Sequence, residues 1–416
     1  MAEMQRKKQE SGASSICLLT ETYYPITGGG ETQARVLAAG FAAAGSNTNV
    51  LTRRTDSTLP RSEYMDGAKL WRLAPTGPGH LKKWGLILSA FIRLLRLRNH
   101  YDVILVGGYR VLGIPSVIAG HLLGKPCILK ADSIGEFSGE FFNPGLRRFR
   151  LRYDRFPVNV ALAIRNKILC RADAFIAISS VIVDELRANG VEAERIQSIP
   201  NSVEIERFSP VSTDEKIGLR GSLTIPRDAQ VGVYTGRLVS TKGLPLLLRS
   251  WESVIERHPD ALLLLVGAGG VGIQNCETEL RRFVSNNSLE KNVWFTGSVN
   301  NVHQYLQASD FFVFPTEREA FGISVIEALA CGLPVVTTAT GGIRDIVTDR
   351  ETALVVPVDD ENALGRAIEA VLQGGDAIAS MAKSGRRLAT ERYSERNVLQ
   401  RYSQLVAALS NVNADE

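Results

Sequence analysis

Two glutamates, Glu319 and Glu327, stand eight positions apart in the C-terminal third of the chain. Glu319 lies in a polar loop after the apolar run 311–315, and Glu327 falls about one turn inside a helix that the pattern predicts to begin near Gly322. The N–H groups of a first helical turn bind anions, and a glycine there leaves them uncovered. The stretch therefore predicts a site able to hold a phosphate together with the hydroxyl groups of a sugar.

Two cations follow the first apolar run of the C-terminal half. Arg237 and Lys242 stand five positions apart, between Gly236 and Gly243, in a loop that joins a predicted strand to a predicted helix. An Arg fork and a Lys point charge in such a loop can neutralise a diphosphate and stabilise it as a leaving group. The alternative is a pair of solvated surface cations, which this stretch alone does not exclude.

Further glycine-rich stretches follow predicted strands, at residues 28–30, 267–272 and 340–342. Glycine lets the backbone approach a ligand closely, although a tight turn is the alternative for any one of them. Residues 267–272 have the G-x-G-x-x-G spacing of dinucleotide-binding proteins. We predict no NAD(P) there, because the helix begins only near Asn275 and the next strand ends without an acidic residue. Since open α/β sheets bind ligands at the carboxyl ends of their strands, the loops together indicate a ligand site at that edge.

The elements that must position these residues are short aliphatic strands alternating with helices, which is typical of parallel, doubly wound sheets. One series of predicted strands ends near Ile199 and a second begins at Val231. We therefore predict an α/β protein with two Rossmann-like domains in tandem, a cleft between them and C-terminal helices. The predicted segments are a disordered lead-in at 1–13, an N-terminal domain at 14–202, a linker at 203–210, a C-terminal domain at 211–390, and a helix at 391–416 that crosses back toward the N-terminal domain.

The net charge of +4 conceals a basic region. Residues 67–171 contain 18 Lys and Arg against 5 Asp and Glu, which indicates an anionic surface or substrate. Residues 145–171 alone contain 8 basic residues against one Asp. Nucleic acid is the weaker interpretation, because no nucleic-acid-binding motif accompanies the charge.

A predicted helix over 81–98 is both basic and amphipathic. Its proposed apolar face consists of Trp84, Ile87, Leu88, Phe91, Leu94 and Leu95. Such a helix is typical of a membrane interface. A core-facing helix with a solvated basic face is an equal alternative, so the sequence leaves an anionic membrane surface at 81–98 and 145–171 as a hypothesis.

Metal ligands and targeting segments are not apparent in the sequence. No His is paired with Cys, Asp or Glu at ligand spacing, and no D-x-D follows a strand, so we predict no metal site and no cofactor. Residues 1–15 lack the apolar centre of a signal peptide, and no apolar run is long enough to span a bilayer. We expect a cytoplasmic protein, with peripheral contact at the inner face of the membrane as the hypothesis that the basic region raises.

The segment from Glu319 to Glu327 resembles the E-x7-E signature of the family 4 retaining glycosyltransferases, which have the GT-B fold. Other stretches resemble the family's motifs in their usual order: the glycine loop at 28–30, the interdomain segment at 199–208, the G-R…K-G stretch at 236–243, and residues 330–336 and 340–342. The resemblance covers about residues 14–410. An E-x7-E pair alone arises by chance, whereas this ordered set is specific.

The resemblance implies that the N-terminal domain binds the acceptor and that the C-terminal domain binds a nucleotide-sugar donor. Arg237 and Lys242 would hold the donor diphosphate, Glu327 the ribose and Glu319 the sugar hydroxyls, and Arg237, Lys242 and Glu319 would act in catalysis. The implied donor-binding residues are Gly29, Gly30, Arg237, Lys242, Gly267, Val299, Glu319, Phe321, Gly322, Ile323, Ser324 and Glu327.

Two departures from the family pattern affect these roles. Many members carry a His after a mid-sheet strand of the N-terminal domain, near the reacting sugar carbon, whereas residues 128–136 contain none. Asp132 is the nearest substitute by position and is assigned a catalytic role on the acceptor side. Ser202 and Glu204 also replace the usual Gly and Asp of the interdomain segment.

We therefore expect a metal-independent retaining glycosyltransferase that moves a hexose-type sugar from a nucleotide-diphosphate sugar to a hydroxyl group. UDP is favoured by its prevalence in the family, with GDP as the alternative. The expected acceptor is lipid-linked, a polysaccharide precursor or a small molecule. The alternatives are a UDP-sugar epimerase or phosphorylase on the same scaffold, and a non-catalytic module that binds carbohydrate or a membrane surface.

Overall fold

The computed structural model describes residues 14–26, 28–77, 81–147, 150–270 and 274–412. The predicted lead-in at 1–13 lies outside these residues. The chain divides into two compact units: unit 1 combines Met1–Asn201 with Glu395–Glu416, and unit 2 is Ser202–Ser394.

Unit 1 contains a sheet of eight strands in the order β3-β4-β2-β1-β5-β6-β7-β8. Its strands are β1 (Ile16–Thr20), β2 (Thr48–Arg53), β3 (Ser62–Met65), β4 (Ala68–Leu73), β5 (Val103–Gly107), β6 (Cys127–Lys130), β7 (Ala174–Ala177) and β8 (Ile196–Ser198). The pairs from β4 to β8 are parallel, as the alternation of strands and helices predicts. Strands β1, β5, β6 and β7 are fully buried, which explains their unbroken aliphatic sequences.

The edge strand β3 departs from the predicted all-parallel sheet. It pairs with β4 in antiparallel register, Met65 opposite Ala68. The connecting residues Asp66 and Gly67 both have positive φ, at 50° and 80°, as a two-residue hairpin turn requires. An Asp-Gly pair is a known hairpin signal, so the sequence contained the evidence for this strand.

The helices of unit 1 cover the sheet and include the last helix of the chain. They are α1 (Gly29–Ala43), α2 (Leu81–Arg96), α3 (Tyr109–Leu123), α4 (Asn143–Arg147), α5 (Val158–Leu169), α6 (Ser180–Ala188) and α14 (Glu395–Val412). Helix α14 packs on α1, where Phe41 meets Tyr402 edge-on with ring centroids 6.3 Å apart. The methyl group of an alanine at Gly40 would lie 2.7 Å from a Leu399 methyl, so glycine allows this close approach.

Helix α1 begins at Gly29, inside the glycine-rich stretch 28–30. The Gly28 carbonyl accepts the first intrahelical hydrogen bond, from the Thr32 N–H at 2.9 Å. Gly28 is therefore the N-cap, and the glycine loop is itself the start of the helix. Gly29 and Gly30 thus belong to the first turn, whose N–H groups have no partner within the helix.

Unit 2 contains a six-stranded parallel sheet in the order β11-β10-β9-β12-β13-β14. Its strands are β9 (Gln230–Thr235), β10 (Ala261–Val266), β11 (Val293–Gly297), β12 (Phe311–Phe314), β13 (Val335–Thr338) and β14 (Leu354–Val356). Its helices are α7 (Thr213–Ser222), α8 (Leu244–Ile255), α9 (Glu277–Asn286), α10 (Val302–Ala308), α11 (Ile323–Ala330), α12 (Glu361–Gln373) and α13 (Asp376–Tyr393). The strand order reverses at β9, and the two series of strands confirm the predicted pair of Rossmann-like sheets.

The segment predicted as a linker, 203–210, is packed on unit 2. Val203 donates its N–H to the Tyr393 carbonyl at 2.8 Å and pairs with Ser394 in an isolated bridge. The Arg386 guanidinium donates to the Phe208 carbonyl at 3.0 Å. These hydrogen bonds satisfy backbone groups that a free connection would leave to water.

Candidate active site

Glycines fix the loops at the carboxyl edge of the unit 2 sheet. A methyl group on Gly267 would lie 1.9 Å from the Gly236 carbonyl oxygen, and Gly267 also bridges to Gly297. Gly236 and Gly267 have φ of 147° and 142°. The loops after β9, β10 and β11 are therefore in backbone contact, which only glycine permits. This contact positions Gly267 and the half-buried Val299 at the same edge.

Lys242 and Glu319 form the central ion pair of this edge. Lys242 Nζ lies 2.5 Å from Glu319 Oε2, and the side chains are only 14% and 18% exposed. The other Glu319 oxygen accepts the Ala320 N–H at 3.0 Å. Because the pair is partly buried and hydrogen-bonded, its two charges attract each other more strongly than a surface pair would. The two residues that were predicted to hold phosphate and sugar therefore bind each other in the absence of a ligand.

Backbone contacts position both members of the pair. Lys242 is followed by Gly243, which has a φ of 68° and caps α8. A methyl group on Gly243 would lie 1.9 Å from the Pro315 oxygen, and one on Gly341 would lie 1.8 Å from the Glu319 oxygen. The strand ends of β9, β12 and β13 are thereby joined, and the cation and the carboxylate meet.

Arg237, the second predicted cation, is exposed. It makes no ion pair with any residue that the structure describes. Its backbone is fixed, because the buried Tyr234 hydroxyl donates to the Arg237 carbonyl at 2.8 Å. The loop is therefore ordered while the guanidinium group stays available to an anion.

Helix α11 begins directly after Gly322, whose φ of 113° is accessible to glycine. Phe321 is buried and meets Tyr393 edge-on, whereas Ile323 and Ser324 are half-buried. The N-cap has no side-chain hydrogen bond, and the Val325 N–H donates to the Gly322 carbonyl at 3.0 Å, so the N–H groups of Ile323 and Ser324 are the ones that the helix leaves without an internal partner.

Glu327 lies one turn into α11. Desolvation raises the pKa of Glu327 to about 8, Arg207 opposes this shift, and Glu204 adds to it. Glu327 is half-buried, so its carboxyl group takes up a proton near neutral pH more readily than a solvent-exposed glutamate does. Arg207, which the sequence did not single out, is held by hydrogen bonds to His303 Nδ1 at 3.3 Å and to the Asn300 carbonyl at 3.0 Å.

Unit 1 brings its own predicted residues together. A methyl group on Gly30 would lie 3.4 Å from Asp132 Oδ2, and Lys130 Nζ is hydrogen-bonded to Asp132 Oδ1. Gly29 is the neighbouring first residue of α1. The contact of Gly29 and Gly30 with a donor phosphate stays a prediction, as does the catalytic role of Asp132.

Two charged residues beside Asp132 had escaped the sequence reasoning. Arg110 Nε lies 3.5 Å from Glu136 Oε1, and the Glu136 side chain is fully buried. Burial raises the pKa of Glu136 to about 8, and Asp132 adds to this shift while Arg110 and Lys130 oppose it. Glu136 stands only four positions after Asp132, but nothing in the loop sequence indicates that its carboxyl group is buried.

The predicted apolar face of the basic helix α2 is only partly buried: Leu94 is buried, Ile87, Phe91 and Leu95 are half-buried, and Leu88 is exposed. The buried stripe of the helix consists of Leu86, Ala90 and Leu94. This stripe packs against α3, and it leaves Leu88 64% exposed and Ile92 exposed as well. Arg93 lies over the Trp71 ring, 4.6 Å from its centroid. The helix therefore has a core face together with a separate exposed apolar pair, and the side chains of residues 81–84 lie outside the described part.

No helix among the described residues is long and apolar enough to cross a bilayer. Within the same residues, no group of three or more His, Cys, Asp and Glu side chains is arranged to hold a metal ion. Metal independence stays a prediction.

Comparison with known proteins accounts for most of the chain. The family model described as glycosyl transferases group 1 matches residues 216–388, and the glycosyl transferase 4-like domain matches residues 28–202. D-inositol 3-phosphate glycosyltransferase 2 of Catenulispora acidiphila is 26% identical over 365 residues, which cover 84% of this chain and 82% of that protein.

A second relative is the GDP-mannose-dependent monoacylated alpha-(1-6)-phosphatidylinositol monomannoside mannosyltransferase of Corynebacterium glutamicum. It is 30% identical over 230 residues, which cover 53% of this chain and 58% of that protein. Among solved structures, Anabaena HepE in complex with UDP-glucose is similar with a TM-score of 0.76 and 21% identity, over 95% of this chain and all of that one.

Both family models lie in their usual order, one on each unit, and the fold neighbours are GT-B proteins. The two parallel α/β sheets agree with that fold. The chain belongs to the family 4 glycosyltransferases, which have the GT-B fold, and it is a glycosyltransferase.

Proposed function

We propose that this glycosyltransferase is a retaining, metal-independent hexosyltransferase whose donor is a nucleotide-diphosphate sugar. The observation that carries the proposal is the Lys242–Glu319 ion pair at the carboxyl edge of the unit 2 sheet. A partly buried cation beside a carboxylate suits a sugar diphosphate, because one binds phosphate oxygens and the other accepts hydroxyl hydrogens. UDP is favoured, since the fold neighbour HepE is solved with UDP-glucose, and GDP is the alternative that the Corynebacterium relative's name suggests.

Donor binding is proposed to exchange the partners of this ion pair. The diphosphate takes Lys242 from Glu319, and the freed carboxylate accepts hydrogen bonds from the sugar. Lys242 and Arg237 then offset the negative charge that grows on the diphosphate as its bond to the sugar breaks. Glu327 is proposed to hold the ribose. The remaining proposed donor contacts are Gly267, Val299, Phe321, Gly322, Ile323 and Ser324.

Transfer is proposed to retain the anomeric configuration. The acceptor hydroxyl attacks the sugar carbon from the face that the diphosphate leaves, and a diphosphate oxygen takes the hydroxyl proton. One carbon–oxygen bond forms as the other breaks, and no protein nucleophile is needed. With UDP-α-glucose we expect an α-glucoside by proton NMR, and a β-glucoside would contradict the mechanism.

The donor is testable before the acceptor is known. We expect one nucleotide among UDP-glucose, UDP-galactose, UDP-N-acetylglucosamine and GDP-mannose to raise the midpoint of thermal unfolding by about 5 °C, because it binds only the folded state. Lys242→Ala should lose this rise. Absence of any shift or donor turnover would favour a non-catalytic module, and conversion of the donor sugar without acceptor would favour an epimerase.

The acceptor is proposed to be a lipid-linked or polysaccharide-precursor hydroxyl presented at an anionic membrane surface. Unit 1 exposes apolar side chains within its basic region, on α2, α3, α5 and the segment before α5. These side chains are Leu88, Ile92, Ile118, Leu122, Phe156, Val160 and Ile164. Exposed apolar groups among Lys and Arg are the two features that hold a protein at an anionic interface.

Sedimentation with vesicles tests this surface. We expect binding to vesicles containing about 30% phosphatidylglycerol and loss of binding in about 0.5 M salt. Leu88→Ser combined with Ile92→Ser should weaken binding by about tenfold. Tyr64→Ser is the matched control, because Tyr64 is 74% exposed on β3 in the same unit. Equal sedimentation of all three proteins would contradict the proposed surface.

A further inference from the structure

The loop after β6 is fixed by buried and half-buried charged side chains. Glu185 on α6 accepts hydrogen bonds from three backbone N–H groups of residues 135–138, at 2.7 to 3.0 Å. Arg165 on α5 is buried and donates to the Glu136 carbonyl at 2.8 Å. Because both the N–H and the C=O groups of this loop are satisfied by charged partners, the fold determines where the Glu136 side chain points.

The Glu136 side chain lies in a buried place where its carboxyl oxygens lack good hydrogen bonds. Glu136 is fully buried, and neither of its carboxyl oxygens has a hydrogen bond of good geometry among the described residues, although the Asp132 backbone N–H faces the carboxyl group. Arg110 Nε, 3.5 Å away, is also buried and without a hydrogen bond. An unsatisfied buried polar group costs about 1–3 kcal/mol. Two such groups facing each other are therefore unfavourable for stability alone and indicate a missing polar partner.

The space between these groups lies over Gly108, the N-cap of α3. A methyl group on Gly108 would lie 3.2 Å from Asp132 Oδ2, 3.6 Å from Arg110 Nη2 and 3.9 Å from Glu136 Oε1. A methyl group on Gly30 would lie 3.4 Å from Asp132 Oδ2, and one on Gly107 would lie 3.5 Å from the same oxygen. A group at the position of a Gly108 methyl would thus lie within 4 Å of polar atoms of Asp132, Arg110 and Glu136, at the carboxyl edge of the unit 1 sheet.

We propose that this space is a binding pocket for one hydroxyl group of a polyhydroxyl acceptor, in which Asp132 accepts the hydroxyl hydrogen, Arg110 donates to the hydroxyl oxygen, and Glu136 is the positioning residue that holds Arg110. The inference rests on the proposed transfer function and adds a pocket on the acceptor side to it. A hydroxyl group is the matching ligand because it both donates and accepts one hydrogen bond.

The charge of the pocket supports a neutral ligand. Arg110 faces the Glu136 carboxyl group, and Asp132 is hydrogen-bonded to the buried Lys130, so each cation beside the pocket stands next to a carboxyl group. A phosphate group would meet the Asp132 carboxylate at close range, which is unfavourable. An uncharged hydroxyl group meets one acceptor and one donor without leaving a new charge uncompensated.

Two glycines on the same helix provide a matched test. Gly108 and Gly124 cap the two ends of α3 with φ of 63° and 60°, so alanine is equally strained at both. A methyl group on Gly124 meets nothing within 4 Å, whereas one on Gly108 narrows the pocket. The test measures glucose transfer from UDP-glucose to two acceptors, inositol 3-phosphate and n-octyl β-glucoside. It also measures the glucose released to water and the Kd for UDP.

Gly108→Ala should raise the acceptor KM by about tenfold or more, which is the loss of one hydrogen-bonded contact of about 1.4 kcal/mol. Gly124→Ala should stay within about twofold of the wild type, and both should bind UDP as the wild type does. Equal acceptor KM values in the two variants would overturn the pocket. A wild type that neither binds nor turns over UDP-glucose, UDP-galactose, UDP-N-acetylglucosamine or GDP-mannose would instead contradict the proposed function itself.

Glu136 variants separate positioning from folding and serve if Gly108→Ala fails to fold. Glu136→Met removes the unsatisfied carboxyl group, so we expect unchanged or higher thermal stability together with an acceptor KM raised about tenfold. Glu136→Gln keeps a neutral polar group and should restore a KM within about threefold of the wild type. If Glu136→Met keeps the wild-type acceptor KM, or if it loses stability and transfer together without rescue by Gln, the positioning role is wrong.

Discussion

The carboxyl edges of the two sheets use glycine in different ways. In unit 2, methyl groups on Gly243, Gly267 or Gly341 would lie within 2 Å of backbone oxygens of neighbouring loops. In unit 1, a methyl group on Gly30 or Gly108 would meet side-chain ends at more than 3 Å. The unit 2 glycines therefore join loops, whereas the unit 1 glycines leave space beside Asp132, Arg110 and Glu136.

The ion pairs at the carboxyl edges of the two sheets also differ, in their length and in how fully their polar atoms are hydrogen-bonded. Lys242 and Glu319 lie 2.5 Å apart and the carboxylate accepts a backbone N–H, whereas Arg110 and Glu136 lie 3.5 Å apart and the carboxyl oxygens accept none. Both members of the unit 2 pair have hydrogen-bond partners, so the proposed donor would have to open this pair. The unit 1 pair is incomplete and has room for a polar partner.

The largest expected effect concerns the Lys242–Glu319 ion pair. Lys242→Ala should lower kcat by about 1,000-fold, because a preorganised cation stabilises the departing diphosphate in a partly dehydrated site. Lys216→Ala is the control, since Lys216 forms a pair with Asp310 at 2.6 Å before β12 rather than after it. Steady-state kinetics with saturating donor measure the change. An unchanged kcat with only weaker donor binding would remove Lys242 from the chemistry.

The glycine comparison predicts a difference in stability. Gly341→Ala should destabilise unit 2 by about 3 kcal/mol or more, because the methyl group overlaps the Glu319 oxygen and φ is 53°. Gly30→Ala should cost less than about 1 kcal/mol, since its methyl group meets only Asp132 at 3.4 Å. Urea titration followed by circular dichroism gives both midpoints. Similar midpoints for the two variants would contradict the distinction between joining and space-leaving glycines.

Glu327 predicts a pH-dependent donor affinity. Its pKa is raised to about 8, so the acceptor form that a ribose needs increases as pH rises. The Kd for UDP-glucose should therefore fall by about tenfold between about pH 6.5 and pH 8.5, measured by calorimetry. Glu327→Gln should abolish the dependence. A flat profile in the wild type would contradict a ribose contact made by a carboxyl group with this raised pKa.

The raised pKa of Glu327 also predicts how the stability of the protein depends on pH. A carboxyl group whose folded pKa lies above its unfolded value of 4.5 contributes stability that is complete below about pH 4.5 and is lost as pH rises through about 8. Glu327→Gln should therefore raise the thermal midpoint relative to the wild type at about pH 8.5 and leave it nearly unchanged at about pH 5. The opposite order would show that Glu327 ionises normally.

The smallest effect lies away from both edges. Gly218 is inside α7, and a methyl group there meets nothing within 4 Å. Gly218→Ala should stabilise unit 2 by about 0.5–1 kcal/mol, because alanine loses less backbone entropy in a helix than glycine does. Thermal unfolding measures this change, and a loss of stability would contradict the helical assignment of the residue.

Local patterns in the sequence predicted most of the elements. Unbroken aliphatic runs predicted the buried parallel strands, and Gly322 predicted the beginning of α11. The edge strand β3 was missed because its sequence is polar on one side, although Asp66-Gly67 signals a hairpin. The apolar face predicted for α2 includes the buried Leu94 but not Leu86 and Ala90, since several overlapping stripes fit helical spacing and only packing against α3 selects the buried one.

Residue types and order alone determined the family, the two-sheet architecture and the donor-side candidates, because strand–glycine–helix junctions are short and their chemistry is local. The tertiary structure decided which of those groups meet. It paired Lys242 with Glu319 across 77 positions. It also buried Glu136 beside Arg110 without hydrogen bonds and raised the pKa of Glu136 and of Glu327. Desolvation and charge pairing depend on neighbours that lie far apart along the chain, so no local pattern records them.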